Sequence, residues 1–318
     1  MLRLPDGRVL GFAEYGDPQG RPVFFLHGFP SSRLEGSGAD KIGRRRRLRI
    51  ISPDRPGFGL STFDPTRRMT DWPADVRALA DHLDLPRFAV IGGSGGGPFA
   101  LACAHALPAT RLTAVGILAG AGPWDQGTRV IPLRSRLTAV MVEYTPSLFR
   151  VLLSAVVGTA RWVASTAWAT RRIDAWLESV VENAAARNAA EPPTTRADVP
   201  KSEREDPPEL TIPERRAHML RTLFEGFSQG SEPTRHEARL LSQDWGFRLE
   251  EVAYDPVKFW HGTKDTNAPI DWIRPMVQRV RHGVLKEFDD NHYTIGYHLD
   301  TILQDLLPDD EHDSKKTA

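Results

Sequence analysis

The stretch IGGSGGGP, Ile91 to Pro98, decides the fold of this chain. It contains the pattern G-x-S-x-G around Ser94, between the apolar run Phe88 to Gly93 and a segment with helical spacing, Gly96 to Pro108. A serine that leads from a strand into a helix must turn sharply, so the residues two positions away on either side must be small. A phosphate-binding loop would place a lysine after the glycines, and none follows here. The pattern therefore predicts that Ser94 is a nucleophile at the end of a strand.

Apolar runs on both sides of this motif alternate with helical patterns. The runs Val23 to Gly28, Leu48 to Asp54 and Leu112 to Gly120 are largely apolar, which is typical of parallel strands covered on both faces. Between them, Asp71 to Leu85 carries apolar residues at helical spacing. This alternation predicts an α/β fold with a mostly parallel, doubly wound sheet.

The alternation stops near Trp124, and an apolar strand-like run next appears at Pro256. The tract between them is helical in pattern, and its part 191–213 is dense in proline and charge, so we expect that part to be mobile. An insertion at the carboxyl edge of such a sheet is expected to cover the site as a lid. The predicted domains are a core in two parts, 1–122 and 245–306, a helical cap over 123–244, and a disordered polar tail over 307–318.

A serine nucleophile needs a base and an acidic residue that orients the base, and with this motif the chain order is serine, acid, histidine. Asp265 follows the predicted strand Pro256 to Gly262, and His292 follows the predicted last strand, Val284 to Phe288. Both lie where predicted strands end, at the edge where open α/β sheets bind ligands. We predict Asp265 as the acid and His292 as the base. The rivals are Asp125, Asp289 and Asp290 for the acid, and His282 for the base.

The oxyanion of an acyl-transfer reaction needs two hydrogen-bond donors. One is expected to be the backbone N–H of Gly95, the residue after the nucleophile. The other is expected from the loop after the first apolar run, where Gly28 permits a bend, Phe29 offers its N–H and Pro30 fixes the next φ. Phe29 and Gly95 are therefore the predicted oxyanion donors.

Several motifs together resemble the α/β-hydrolase superfamily. They are HGFP (27–30), DRPGFGLS (54–61), GGSGGGP (92–98), WHGTKDTNAP (260–269) and the dipeptide Asn291-His292. The resemblance covers about residues 1–122 and 245–306, and relatives usually have a glycine where Asn291 stands. It implies the nucleophile Ser94, the acid Asp265, the base His292, the oxyanion donors Phe29 and Gly95, and a structural turn at 55–59.

Composition excludes several other classes of protein. Acidic and basic residues balance at 41 each, which gives no reason to expect nucleic acid as a partner. Cys103 is the single cysteine, so no intrachain disulfide can form. The apolar stretch Leu148 to Ala164 is short and contains Arg150 and Arg161, and no signal peptide is evident, so we expect a cytoplasmic protein without a membrane span. Without metal-ligand spacing or a dinucleotide motif, we expect no cofactor and no metal.

These features predict a cofactor-independent serine hydrolase that cleaves an ester, lactone or related acyl bond in a small molecule. An aminopeptidase of the proline-iminopeptidase type and a carbon–carbon bond hydrolase remain alternatives. Epoxide hydrolases and haloalkane dehalogenases need an aspartate at the position of Ser94, which disfavours both. A ligand receptor on the same fold is the alternative that is not an enzyme.

Overall fold

A computed structural model describes residues 1–190 and 210–308 of the chain. Most of the proline-rich part 191–213 and of the polar tail 307–318 lies outside the described residues. The strands are β1 (Leu2–Arg3), β2 (Val9–Leu10), β3 (Phe12–Gly16), β4 (Arg21–Leu26), β5 (Leu48–Pro53), β6 (Phe88–Gly93), β7 (Leu112–Leu118), β8 (Val257–Gly262) and β9 (Gly283–Phe288). The helices are α1 (Asp40–Arg45), α2 (Trp72–His82), α3 (Gly97–Ala106), α4 (Leu133–Tyr144), α5 (Pro146–Ser165), α6 (Ala167–Ala190), α7 (Ile212–Glu225), α8 (Glu232–Ser242), α9 (Ile270–Arg279) and α10 (Leu299–Leu306).

The main sheet has seven strands in the order β3-β5-β4-β6-β7-β8-β9. Strand β3 runs antiparallel to β5, and all the other neighbours in the sheet are parallel. The strand order reverses direction beside β4, the arrangement that opens a crevice at the carboxyl ends of the central strands. The mostly parallel, doubly wound sheet predicted from the sequence is confirmed.

The sheet separates two apolar layers, and strand β4 shows why its residues 23–26 are all apolar. Phe24 and Leu26 are buried in a cluster with Phe99 of helix α3, whereas Val23 and Phe25 are buried in a second cluster with residues of α10. Because successive side chains of a strand point to opposite faces, a strand covered on both faces needs apolar residues at every position. The same reasoning explains the fully buried strand β6.

The chain divides into two compact units. One comprises Met1–Leu153 together with Glu225–Ala318, and the other comprises Ser154–Phe224. Helices α4 and α8 come from the tract predicted as a cap, and in the first unit they are joined by an ion pair between Glu143 and Arg239 (3.1 Å). In the second unit, Asp174 of α6 pairs with Arg216 of α7.

Helix α5 has 20 residues and is long and apolar enough to cross a membrane, by length and composition only. The helix extends beyond the stretch Leu148 to Ala164, so its length does not argue against a membrane span. The expectation of no membrane span now depends on the charges of Arg150 and Arg161 alone.

Candidate active site

Ser94 directly follows strand β6 and lies in a tight turn at the carboxyl edge of the sheet. The backbone of Ser94 is left-handed, with φ of 49°, which is unusual for a residue other than glycine. A Cβ on Gly92 would overlap the carbonyl oxygen of Gly96, and a Cβ on Gly96 would overlap that of Leu26. The turn is therefore possible only because glycines stand on both sides of the serine, as the motif predicts.

The structure brings Ser94, His292 and Asp265 into one hydrogen-bonded chain. His292 follows β9, and its Nε2 lies 2.9 Å from Ser94 Oγ. Asp265 follows β8, and its Oδ2 lies 2.7 Å from His292 Nδ1. Three separate strands thus end at this point, which is how residues 171 and 27 positions apart in the sequence come together.

The electrostatics of the chain fix the tautomer of the histidine. Burial opposes the charge on Asp265, but hydrogen bonds from His292 and the backbone N–H of Ala268 outweigh it and lower the pKa of the carboxyl. Its Oδ1 also accepts the N–H groups of Asn267 and Ala268, at 2.7 and 2.9 Å. Because an ionised Asp265 can only accept, His292 donates from Nδ1, and its Nε2 is free to accept the proton of Ser94.

The rival residues all have other partners. Asp125 pairs with Arg279 at 2.8 Å, Asp289 with Lys264 at 2.8 Å, Asp290 with His298 at 2.9 Å, and His282 lies 3.5 Å from Asp255.

A second histidine, His261, packs beside Asp265 and bonds to the loop that carries it. It is buried, its Nε2 lies 2.7 Å from the carbonyl oxygen of Ala268, and it is 3.4 Å from Asp265 Oδ2. Burial lowers the pKa of His261, so the ring is neutral and donates from Nε2 to that carbonyl. His261 thereby holds the loop whose backbone N–H groups hold Asp265.

The predicted oxyanion donors lie side by side. A Cβ on Gly95 would stand 3.2 Å from the backbone nitrogen of Phe29 and 2.5 Å from its Cβ. Within residues 1–190 and 210–308, the N–H of Phe29 has no hydrogen-bond acceptor. This amide is therefore available to a ligand oxygen placed next to Ser94.

Ser94 and His292 open into a cavity of about 750 Å³. Its charged lining comes from Glu35 and Arg134, and its aromatic lining includes Phe29 and Tyr293. Arg134 donates to the carbonyl oxygen of Thr266 at 2.8 Å, next to the loop of the acid. The lining of the cavity is polar and apolar in about equal parts, and its size lies within the range of small-molecule sites.

Glu35 is the site residue that sequence reasoning missed. It sits in a 3-10 turn after β4, its Oε2 accepts the N–H of Gly28 at 2.9 Å, and burial raises the pKa of its carboxyl. Glu35 Oε2 and Ser94 Cβ lie 3.4 and 3.5 Å from the point that a Cβ on Gly28 would occupy. The available signal was an acidic residue only five positions after the HGFP motif, in a stretch otherwise free of acids up to Asp40.

No group of three or more His, Cys, Asp or Glu side chains within the described ranges is arranged to hold a metal ion.

Comparison with known proteins agrees with this architecture. A family model described as alpha/beta hydrolase fold matches residues 21–131, which contain β4 to β7 and the serine turn. A proline iminopeptidase of Xanthomonas citri is 38% identical over 109 residues, which are 32% of this chain and 34% of that protein. The chain spans about a third of the length of the curated relatives it matches.

Solved structures match over nearly the whole chain at low identity. An esterase from Exiguobacterium antarcticum covers 96% of both chains with a TM-score of 0.61 and 16% identity. An enol-lactonase from Burkholderia xenovorans LB400 covers 96% of this chain and 98% of its own, with a TM-score of 0.59 and 16% identity. At this identity the likeness establishes the fold alone.

Proposed function

We propose that this chain, which has the α/β-hydrolase fold, is a cofactor-independent serine hydrolase of acyl compounds. The observation that carries this proposal is the hydrogen-bonded chain from Ser94 through His292 to Asp265, opening into a cavity. An ester or lactone of a small molecule is the substrate class that we propose.

In the first half of the reaction, Ser94 Oγ attacks the carbonyl carbon of the substrate while its proton passes to His292 Nε2. The histidine becomes an imidazolium, which the ionised Asp265 stabilises through Nδ1–H. The carbonyl π electrons move to the oxygen, and the resulting oxyanion accepts the N–H groups of Phe29 and Gly95. These donors are fixed before the reaction, so they need little reorganisation in the transition state.

In the second half, His292 gives its proton to the leaving alcohol and the carbon–oxygen bond breaks, which leaves the acyl group on Ser94. A water molecule then transfers a proton to His292 and adds to the acyl carbon through a second oxyanion. Collapse of that intermediate returns the proton to Ser94 Oγ and releases the acid.

The direct test combines labelling with turnover. We expect a fluorophosphonate to label the purified protein at Ser94 and a p-nitrophenyl ester to be hydrolysed. The Ser94→Ala variant should do neither while keeping its melting temperature near that of the wild type. A wild type that is neither labelled nor active would instead favour a ligand receptor on this fold.

An aminopeptidase is the second candidate, because the carboxyl of Glu35 lines the cavity beside Ser94 and could face the ammonium group of an aminoacyl substrate. Several curated relatives named as proline iminopeptidases agree with this candidate. A panel of aminoacyl anilides assayed beside p-nitrophenyl esters separates the two. If anilides are preferred, Glu35→Gln should reduce that preference much more than it reduces ester hydrolysis.

A further inference from the structure

The loop of residues 27–29, which carries the proposed oxyanion donor, is held by hydrogen bonds to side chains on two sides. A peptide group contains the C=O of one residue and the N–H of the next, so the C=O of Gly28 and the donor N–H of Phe29 belong to one rigid plane. Whatever fixes the Gly28 carbonyl therefore also fixes the direction of the Phe29 N–H.

Arg55 fixes that carbonyl. Its Nη2 donates to the Gly28 oxygen at 2.9 Å, and its Nη1 donates to the His27 oxygen at 2.5 Å. The guanidinium is planar and its donors stand in a rigid fork, so one side chain sets the directions of two consecutive peptide planes. A charged donor on a carbonyl also polarises the peptide, which makes its N–H a better donor.

His27 adds a second donor to the same carbonyl. Its Nε2 accepts the backbone N–H of Arg55 at 3.2 Å, so Nδ1 carries the hydrogen and donates to the Gly28 oxygen at 2.8 Å. Burial places the pKa of His27 well below its ordinary value, and the ring is neutral.

Glu35 holds the opposite end of the preceding peptide group. Its Oε2 accepts the N–H of Gly28, whose partner carbonyl on His27 is bonded to Arg55. The His27–Gly28 peptide is therefore held at its oxygen by a cation and at its hydrogen by a carboxyl group.

Arg55 is itself positioned from helix α8, far away in the sequence. Glu237 accepts Arg55 Nε at 2.9 Å and Nη2 at 2.7 Å, and it also accepts Nη2 of Arg67 at 2.5 Å. Arg55 and Glu237 are fully buried. Burial opposes the charge on Glu237, yet the two arginines lower its pKa to about 2, so its carboxylate is ionised.

We propose that Arg55, held by Glu237 of helix α8, and Glu35 are the positioning residues of the oxyanion site. They act through the peptide planes of residues 27–29 and touch no reacting atom. The inference rests on the proposed hydrolase function, because only there does the direction of the Phe29 N–H affect a rate. It also makes helix α8, which belongs to the inserted tract, part of the machinery that shapes the oxyanion site.

The test is Arg55→Lys, which keeps the charge but loses the fork that reaches both carbonyls. We expect kcat for a p-nitrophenyl ester to fall about 10- to 100-fold, less than the roughly 10²–10³ cost of removing an oxyanion donor outright. The KM should change little, because the donor acts mainly in the transition state. Affinity for phenylboronic acid, whose tetrahedral adduct with Ser94 places an oxygen at this site, should fall in parallel with kcat.

Arg33→Lys is the matched control. Arg33 is also a buried arginine in an ion pair, with Asp54 at 2.9 Å, but it makes no hydrogen bond to residues 27–29 within the described chain. Equal losses of kcat in both variants would mean a general effect of disturbing buried arginines and would overturn the proposal. If Arg55→Lys does not fold, Glu35→Ala replaces it, because it removes the acceptor of the Gly28 N–H, and its kcat should fall with little change in the KM.

Hydrogen exchange at the Gly28 amide distinguishes failure of this proposal from failure of the proposed function. That amide hydrogen is bonded to Glu35, so we expect it to exchange faster in Arg55→Lys and in Glu35→Ala than in the wild type or in Arg33→Lys. Faster exchange in a protein that hydrolyses no acyl substrate would refute the hydrolase and retain the positioning role. Unchanged exchange and unchanged kcat in an active enzyme would refute the positioning role and retain the hydrolase.

Discussion

Asp265 holds His292 with one carboxylate oxygen and its own loop with the other. Oδ2 lies 2.7 Å from His292 Nδ1, while Oδ1 accepts the N–H groups of Asn267 and Ala268. The backbone after β8 therefore fixes Asp265, and Asp265 in turn fixes the orientation of the His292 ring after β9. Changes at Asp265 should consequently act on the histidine rather than on substrate binding.

Asp265→Asn should lower kcat strongly, by up to about 10⁴ as in the best-characterised serine triad, because the amide no longer selects the tautomer with hydrogen on Nδ1. Steady-state kinetics with a p-nitrophenyl ester would measure this loss. Asp125→Asn is the control, since Asp125 pairs with Arg279 on the surface. Comparable losses in the two variants would remove Asp265 from the triad.

Gly95→Ala should lower kcat by displacing the predicted oxyanion donor. The new Cβ would stand 2.5 Å from the Cβ of Phe29, so the loop after β4 must move away. We expect a loss of about 10²–10³ in kcat, the cost of losing one donor. Gly38→Ala is the matched control, because a Cβ there meets nothing within 4 Å. Full activity of Gly95→Ala would show that the Phe29 amide is not needed.

The sheet and the meeting of Ser94, His292 and Asp265 follow from local sequence patterns. Ser94, Asp265 and His292 each follow closely on the end of a strand, and parallel strands place such ends at one edge of the sheet. The glycines around Ser94 identify the turn without any knowledge of the rest of the chain. These features were predictable because the position of each residue is specified by a short stretch of sequence around it.

The hydrogen bonds that hold residues 27–29 could not be predicted in the same way. Arg55 was interpreted as part of a structural turn, and its partner Glu237 lies 182 positions later, in helix α8, whose packing no local pattern specifies. A buried ion pair has no periodic signature, because each member looks like an ordinary surface charge in the sequence. Glu35 is close in the sequence to the loop that it holds, but its role depends on a hydrogen bond to the N–H of Gly28, which no pattern of residue types specifies.

Glu237→Gln should change both the stability of the protein and its dependence on pH. A carboxyl whose pKa is lowered on folding stabilises the folded state above its unfolded pKa, and that contribution disappears as the pH falls through the folded pKa. For Glu237 the two values are 4.5 and about 2, so the contribution is fully present near neutral pH and is lost over that acidic window.

At neutral pH we expect the variant to be less stable by about 3–5 kcal/mol, because Arg55 and Arg67 stay buried without their carboxylate. Urea unfolding between pH 7 and acidic pH would measure the free energy of unfolding of both proteins. The difference in free energy of unfolding should shrink as the pH approaches the lower pKa, because Glu237 of the wild type then becomes protonated. Other groups, such as Asp265, titrate in both proteins, so their contributions cancel in the difference.

Glu250→Gln is the control for this last prediction. The pKa of Glu250 is also lowered to about 2, chiefly by a hydrogen bond from Arg279, but both side chains are in contact with solvent. Because solvent screens such a pair, its removal should change the free energy of unfolding much less, and added salt should reduce the effect further. If Glu237→Gln and Glu250→Gln had equal effects, burial would not be the origin of the strength of the Arg55–Glu237 pair.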